Sequence, residues 1–244
     1  MRIRMCLRLR SDSAGFPPPS RTINLPERDP RMPTHADIPY VTYGKTTLSL
    51  DLRIPDGLAG LLPVVLHVVG GGWQNCDKTG GEGTCRFLLE QGYALASIQY
   101  RVSGDSKAPA NIHDCKAAVR WLRANAAKYS LDPSRIGAIG SSAGGHLVGL
   151  LGVSAGVADL EGPAGCLDQS SEVKTVCAYC GVFDLVRYQD RSLSDDNKVL
   201  ADVITKYLGG SVTDRKELAR LVSPVTYVHA GGPPMLLLHG DADD

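Results

Sequence analysis

The sequence predicts a doubly wound α/β domain, a mostly parallel sheet with helices on both faces. Residues 62–69 form a continuous apolar run, the pattern of a strand covered on both of its faces. Further along, β-branched runs alternate with segments whose apolar residues recur at helical spacing, the order expected of successive βαβ units. At 244 residues and 43% hydrophobic content, the chain can bury one sizeable core and is short for two.

Taken in order, residues 1–36 read as a disordered leader. They hold Arg2, Arg4, Arg8, Arg10 and Arg21 and the triplet Pro17, Pro18, Pro19, with no apolar stretch to make a secretion signal. A start at Met32 accounts for them equally well, and the domain is expected over 37–244. Residues 38–43 and 47–54 have the alternating, β-branched character of two antiparallel strands, joined at Gly44 and Lys45. After the strand at 62–69 comes a helix over 82–91, stopped by Gly92, and then a strand over 93–100, completing one βαβ unit. Ile112, Ala117, Val119, Leu122 and Ala126 line one side of a helix over 110–128. A strand over 135–139 follows. The last strands fall at 173–182 and 234–239, with helices over 198–208 and 215–221 between them.

Twenty-six basic residues balance 26 acidic ones, so the overall charge favours neither nucleic acid nor an anionic membrane as partner. No apolar run reaches bilayer-spanning length. A soluble protein is expected, cytoplasmic by default, and its oligomeric state is not legible. Seven cysteines are an odd number in a chain too large to need disulfide staples. Cys177 and Cys180 form a CxxC inside an apolar run, which reads as buried strand, and with no second ligand pair no metal site is expected.

The chemistry sits in three places. Gly140-Ser141-Ser142-Ala143-Gly144 is a GxSxG between a strand and an apolar helix, where glycines permit a sharp turn that lifts a strained serine above the sheet. Ser142 is the expected nucleophile. Gly70-Gly71-Gly72-Trp73 follows the buried strand. Without side chains in the way, the amides of Gly71 and Gly72, joined by that of Ala143, would converge on a carbonyl oxygen as it gains charge. A phosphate-cradling role is disfavoured, because no GK[ST] follows. The third place is His239-Gly240-Asp241-Ala242-Asp243 at the end of the last strand. Asp243, about a hundred residues after Ser142, is the expected acid that orients an imidazole. Asp184 is the runner-up, and Asp241 and Asp244 read as solvated neighbours.

On these residues the chain resembles the feruloyl- and acetyl-esterase (BD-FAE-like) branch of the α/β-hydrolase superfamily, related to the hormone-sensitive-lipase-like esterases. The marks of that resemblance are GGGW at 70–73, SIQYR at 97–101, HDCKAAVRWLR at 113–123, GSSAGGHL at 140–147, Ser223-Pro224 and the closing HGDAD. The resemblance implies a serine carboxylic ester hydrolase that needs no cofactor, acts on a small-molecule ester and works through an acyl-enzyme. It also implies a further strand, a loop with the catalytic histidine and a final helix after the acid loop. The sequence departs from the family at Val69, where a histidine is usual before the glycines, and it ends at Asp244. The expectation is therefore a truncated fold lacking the last strand and helix, inactive or nearly so, with an exposed strand edge that favours self-association.

None of His35, His67, His113, His146, His229 and His239 is expected to serve as the base. His113 reads as paired near Arg101, and His146, one turn up its helix from Ser142, as packed or hydrogen-bonded locally. Residues 159–171 form the one sizeable loop expected to overhang the site, which favours small acyl groups. Two other readings share the motifs: an amidase or peptidase of prolyl-oligopeptidase or arylformamidase type, and a non-catalytic binding module.

Overall fold

A computed structural model of the protein describes residues 34–80, 82–189 and 195–240. It opens on two antiparallel strands, β1 (Thr34–Tyr43) and β2 (Thr46–Arg53), joined at Gly44. β1 thus starts three residues before the expected domain boundary; the rest of the expected leader lies outside the described residues. β3 (Leu62–Val68) and β4 (Ala94–Ile98) flank α1 (Glu82–Glu90), and β4 is buried at every position. α2 (Ala110–Ala124) leads to β5 (Leu131–Ser141), α3 (Ala143–Val153), the short α4 (Ala158–Glu161) and β6 (Thr175–Tyr179). α5 (Asp195–Leu208), α6 (Lys216–Leu221) and β7 (Met235–Leu238) complete the described chain.

The sheet order is β1-β2-β4-β3-β5-β6-β7, antiparallel across β1, β2 and β4 and parallel from β4 onward. α1 packs Cys85 and Leu89 on one face against Leu95 and Ile139. α2 and α3 cover the other face with Ile112, Val119, Leu147 and Leu151, all without solvent contact. That is the expected layering. No helix among the described residues is long and apolar enough to cross a membrane.

Three expectations need correction. The helix expected over 110–128 ends at Ala124, because the Asn125 side chain donates to the Trp121 carbonyl at 2.9 Å and a 3₁₀ turn over Ala126–Tyr129 follows. The strand expected over 173–182 is shorter, since Cys180 takes a positive φ of 46° and the chain turns away there. Cys177 is consequently half-buried within β6, whereas Cys180 lies exposed beyond it.

The third correction concerns the loop at 159–171, which lies along α2 rather than over the glycine loop and Ser142. The His113 ring bonds the Asp159 carbonyl, and the Arg120 guanidinium donates to the carbonyls of Ala164 and Gly165. Glu161 is the clamp. Its carboxylate accepts from Lys116, Arg120, Ser171 and the Gly156 amide, each at 2.8 Å. Lys116 and Arg120 are buried to within 2% of completeness, and among the described residues Glu161 is the carboxylate that pairs with both. Glu161→Gln is expected to cost about 3 kcal/mol, at the lower end for a broken buried pair because Glu161 itself reaches solvent. Urea denaturation would show the loss as a lower midpoint with an unchanged slope.

β7 is the outer strand of the described sheet, and Leu236 and Leu237 on it are 45% and 38% exposed.

Candidate active site

From β3 the chain steps to β4 on one side, then returns across β3 to β5 on the other. Strand order therefore reverses between β3 and β5, and in open α/β sheets the crevice at such a reversal is where ligands bind. The glycine loop leaves the C-terminal end of β3, and the turn into α3 leaves that of β5. The two expected chemical segments are thus side by side.

Ser142 sits in this second turn with φ 53° and ψ −121°, a conformation L residues rarely adopt. Its amide donates to the Tyr179 carbonyl at 2.8 Å, and its carbonyl accepts the His146 amide at 2.9 Å. The side chain is exposed. Close packing of the flanking glycines holds the turn. A Cβ on Gly140 would stand 2.5 Å from the Gly144 carbonyl oxygen, and one on Gly144 would overlap the Val68 carbonyl and stand 2.8 Å from that of Val69. Both glycines are required because α3 begins directly against the end of β3.

In the neighbouring loop Gly71, Gly72 and Trp73 all have positive φ, at 127°, 58° and 55°. The Gly71 carbonyl accepts the amides of Gln74 and Asn75 at 3.0 and 3.1 Å, leaving the Gly71 and Gly72 amides outside the bonds that close the loop. A Cβ built on Gly70 would lie 3.3 Å from the Ser142 Cβ, so the two segments touch. Ala143 opens α3, where first-turn amides have no partner within the helix. Ser142, Ala143 and the glycine loop are therefore brought together. Asp243, with Asp241 and Asp244, lies outside the described residues. Asp184 is engaged elsewhere, accepting the Val186 amide and pairing with Arg187.

The residues that hold the loop were not legible as such. Tyr100 donates to the Val69 carbonyl at 3.0 Å, and the Ser103 amide to the Trp73 carbonyl at 2.7 Å. Trp73 is 1% exposed; its Nε1 donates to His146 Nδ1 at 3.2 Å, and its ring stacks on Tyr207 of α5 with centroids 4.4 Å apart. Val203, one turn earlier in α5, packs against Gly72. A tryptophan directly after three glycines was the available signal, and nothing in the sequence pairs it with a histidine 73 residues away.

The described histidines are mostly committed. His146 has no exposed surface, and its Nε2 bonds the Val222 carbonyl at 2.7 Å; burial lowers it to about 4. His67 sits on the α1 face near Ser97, also lowered to about 4 by burial. It is Asp114, rather than His113, that pairs with Arg101, at 2.7 Å. His35 packs edge-on against Tyr129. His229 precedes β7, at the end of the sheet opposite the turn that holds Ser142. His239 follows β7, two strands from β5, which at sheet spacing is roughly 10 Å from Ser142. A cavity of about 70 Å³ beside the Ser142 turn is lined by His67, Cys85, Ser141 and Tyr179; Ser142 is not among its walls.

This sheet order, with a strained serine between strand and helix, defines an α/β-hydrolase. The chain belongs to the BD-FAE family, whose model matches residues 50–244. It is 32% identical over 211 residues to the esterase LipQ of Mycobacterium tuberculosis, covering 85% of this chain and 48% of that protein. The same organism's probable carboxylic ester hydrolase LipM is 32% identical over 215 residues. The chain spans about half the length of these curated relatives. Among solved structures, a truncated form of a carbohydrate esterase from gut microbiota superposes with a TM-score of 0.76 at 29% identity, over 89% of this chain and 80% of that one. A thermophilic esterase of Thermogutta terrifontis superposes with a TM-score of 0.69 at 27% identity, over 87% and 71%. That esterase has also been solved with propionate bound, with butyrate bound, and phosphorylated by paraoxon.

Proposed function

We propose that the chain carries the nucleophile of a serine carboxylic ester hydrolase acting on short-chain acyl esters. The observation that carries the reading is Ser142 in a left-handed turn locked by Gly140 and Gly144, with the glycine loop in contact beside it. Ser142 Oγ attacks the ester carbonyl. The amides of Gly71, Gly72 and Ala143 stabilise the oxygen that becomes charged, the alcohol leaves, and water releases the acyl-enzyme. Asp243 orients the histidine that takes the Ser142 proton. His67, His113 and His146 are engaged elsewhere, so none of these three fills that role. The names of LipQ and LipM support an ester substrate, and the propionate and butyrate bound to the thermophilic esterase support a short acyl group.

The experiment is labelling with a fluorophosphonate probe followed by peptide mapping, alongside p-nitrophenyl acetate and the matching anilide. Labelling confined to Ser142, with ester cleavage exceeding anilide cleavage, is expected. Faster anilide turnover would make it an amidase. Absence of Ser142 labelling would make it a binding module.

A further inference from the structure

The Trp73 indole is an obligatory donor, so the His146 nitrogen facing it must be the bare one, and the imidazole proton stands on Nε2, where it meets the Val222 carbonyl. The ring is thus a neutral two-ended link. One end grips the residue that follows the three glycines, and the other grips the turn after α6. Ser223, next in chain, donates from its hydroxyl to Ala219 and accepts the Leu185 amide, so that turn is itself fixed to the segment leaving β6. His146 lies four residues past Ser142 on α3, and its amide closes the first turn by bonding the Ser142 carbonyl. This ring therefore links the residue that follows the glycine loop to the helix that begins at the Ser142 turn.

We propose that His146 is a positioning residue, holding Trp73, and with it the Gly71 and Gly72 amides, at a fixed distance from Ser142. This rests on the ester-hydrolase reading for its kinetic consequence but not for its structural one.

The test uses the full 244-residue chain with His146→Phe, which keeps the ring contacts to Trp73 and Tyr207 but removes both hydrogen bonds, and His146→Asn, whose Oδ1 can stand where Nδ1 stood. In nitrogen-edited NMR the Trp73 indole N–H, identified by its loss in Trp73→Phe, is expected to shift and to lose protection from exchange by roughly tenfold in His146→Phe. In His146→Asn most of that protection should return. With p-nitrophenyl acetate, kcat is expected to fall roughly tenfold to a hundredfold in His146→Phe at unchanged KM, and to recover in part in His146→Asn. An indole resonance and exchange rate indifferent to His146→Phe would overturn the proposal. So would equal kcat losses in both variants that merely follow the folded fraction. If His146→Phe does not fold, Trp73→Phe removes the donor while keeping a ring on Tyr207, and the same split of kcat from KM decides. If the unaltered chain takes no label and cleaves no ester, the ester-hydrolase reading fails, and the indole measurement still decides the anchor.

Discussion

Gly144→Ala is expected to destabilise the protein by about 3 kcal/mol or more, although alanine is the better helix former. Gly144 is the second residue of α3, where helix propensity alone would favour alanine by up to about 1 kcal/mol. The added methyl would overlap the Val68 carbonyl and crowd that of Val69, both of them backbone at the end of β3. A flexible side chain could move aside, but a strand end paired with β5 and tied at the Val69 carbonyl by Tyr100 cannot, so overpacking outweighs propensity. Relief requires α3 to withdraw from β3, which would carry Ser142 and Ala143 away from the glycine loop. Loss of fluorophosphonate labelling should therefore accompany the loss of stability, since a displacement of about 1 Å is worth roughly a hundredfold in rate. Gly104→Ala is the control, because nothing lies within 4 Å of its added methyl. Denaturation midpoints of the two variants that matched would show that α3 can shift freely and that the close approach has no mechanical role.

That glycine was legible in the sequence as part of GxSxG, and so was most of the frame around it. A strand buried on both faces must be almost wholly apolar, which is why 62–69 could be placed to within a residue of β3. Local chemistry was harder to see. Asn125 ends α2 with a side-chain bond that competes with the helix, and Cys180 ends β6 with a backbone angle that an apolar run does not advertise. The site divides along the same line. Ser142 and the glycine loop each carry a short local signature. The supports of the loop do not, because Trp73, His146, Tyr207 and Val222 are separated by 61 or more residues except for the last pair and meet only through the fold. The loop at 159–171 was misplaced for a similar reason: its position is decided by Glu161 meeting two cations on α2 some 41 and 45 residues earlier.

The same buried imidazoles make the fold sensitive to acid. His67 and His146 are both held at about 4 by burial, against an ordinary value near 6.5. Above about pH 6.5 each is neutral folded or unfolded, and neither affects stability. Between about 6.5 and 4 the unfolded chain takes up these protons and the folded chain does not, so stability falls as the pH falls. Each shift is worth about 3 kcal/mol, and with both titrating the slope approaches ~2.7 kcal/mol per pH unit. A domain with a total of 5–15 kcal/mol has little left near pH 4. His113, lowered by burial, adds in the same sense, while Asp114, raised by burial, works against it. Carboxylates held low, such as Asp132 at about 2 beside Ser134 and Arg135, lose their contribution only below the histidine window, so the two effects separate on the pH axis. Guanidinium melts at pH 7, 6, 5 and 4 should show the steep loss already by pH 5, and His146→Asn should flatten it by about half. A stability level down to pH 4 would mean that both rings can be charged in place. For His146 that would require a second proton directed at the Trp73 indole N–H, two donors facing each other in a site with no solvent exposure, so the link must break before the ring can hold its charge.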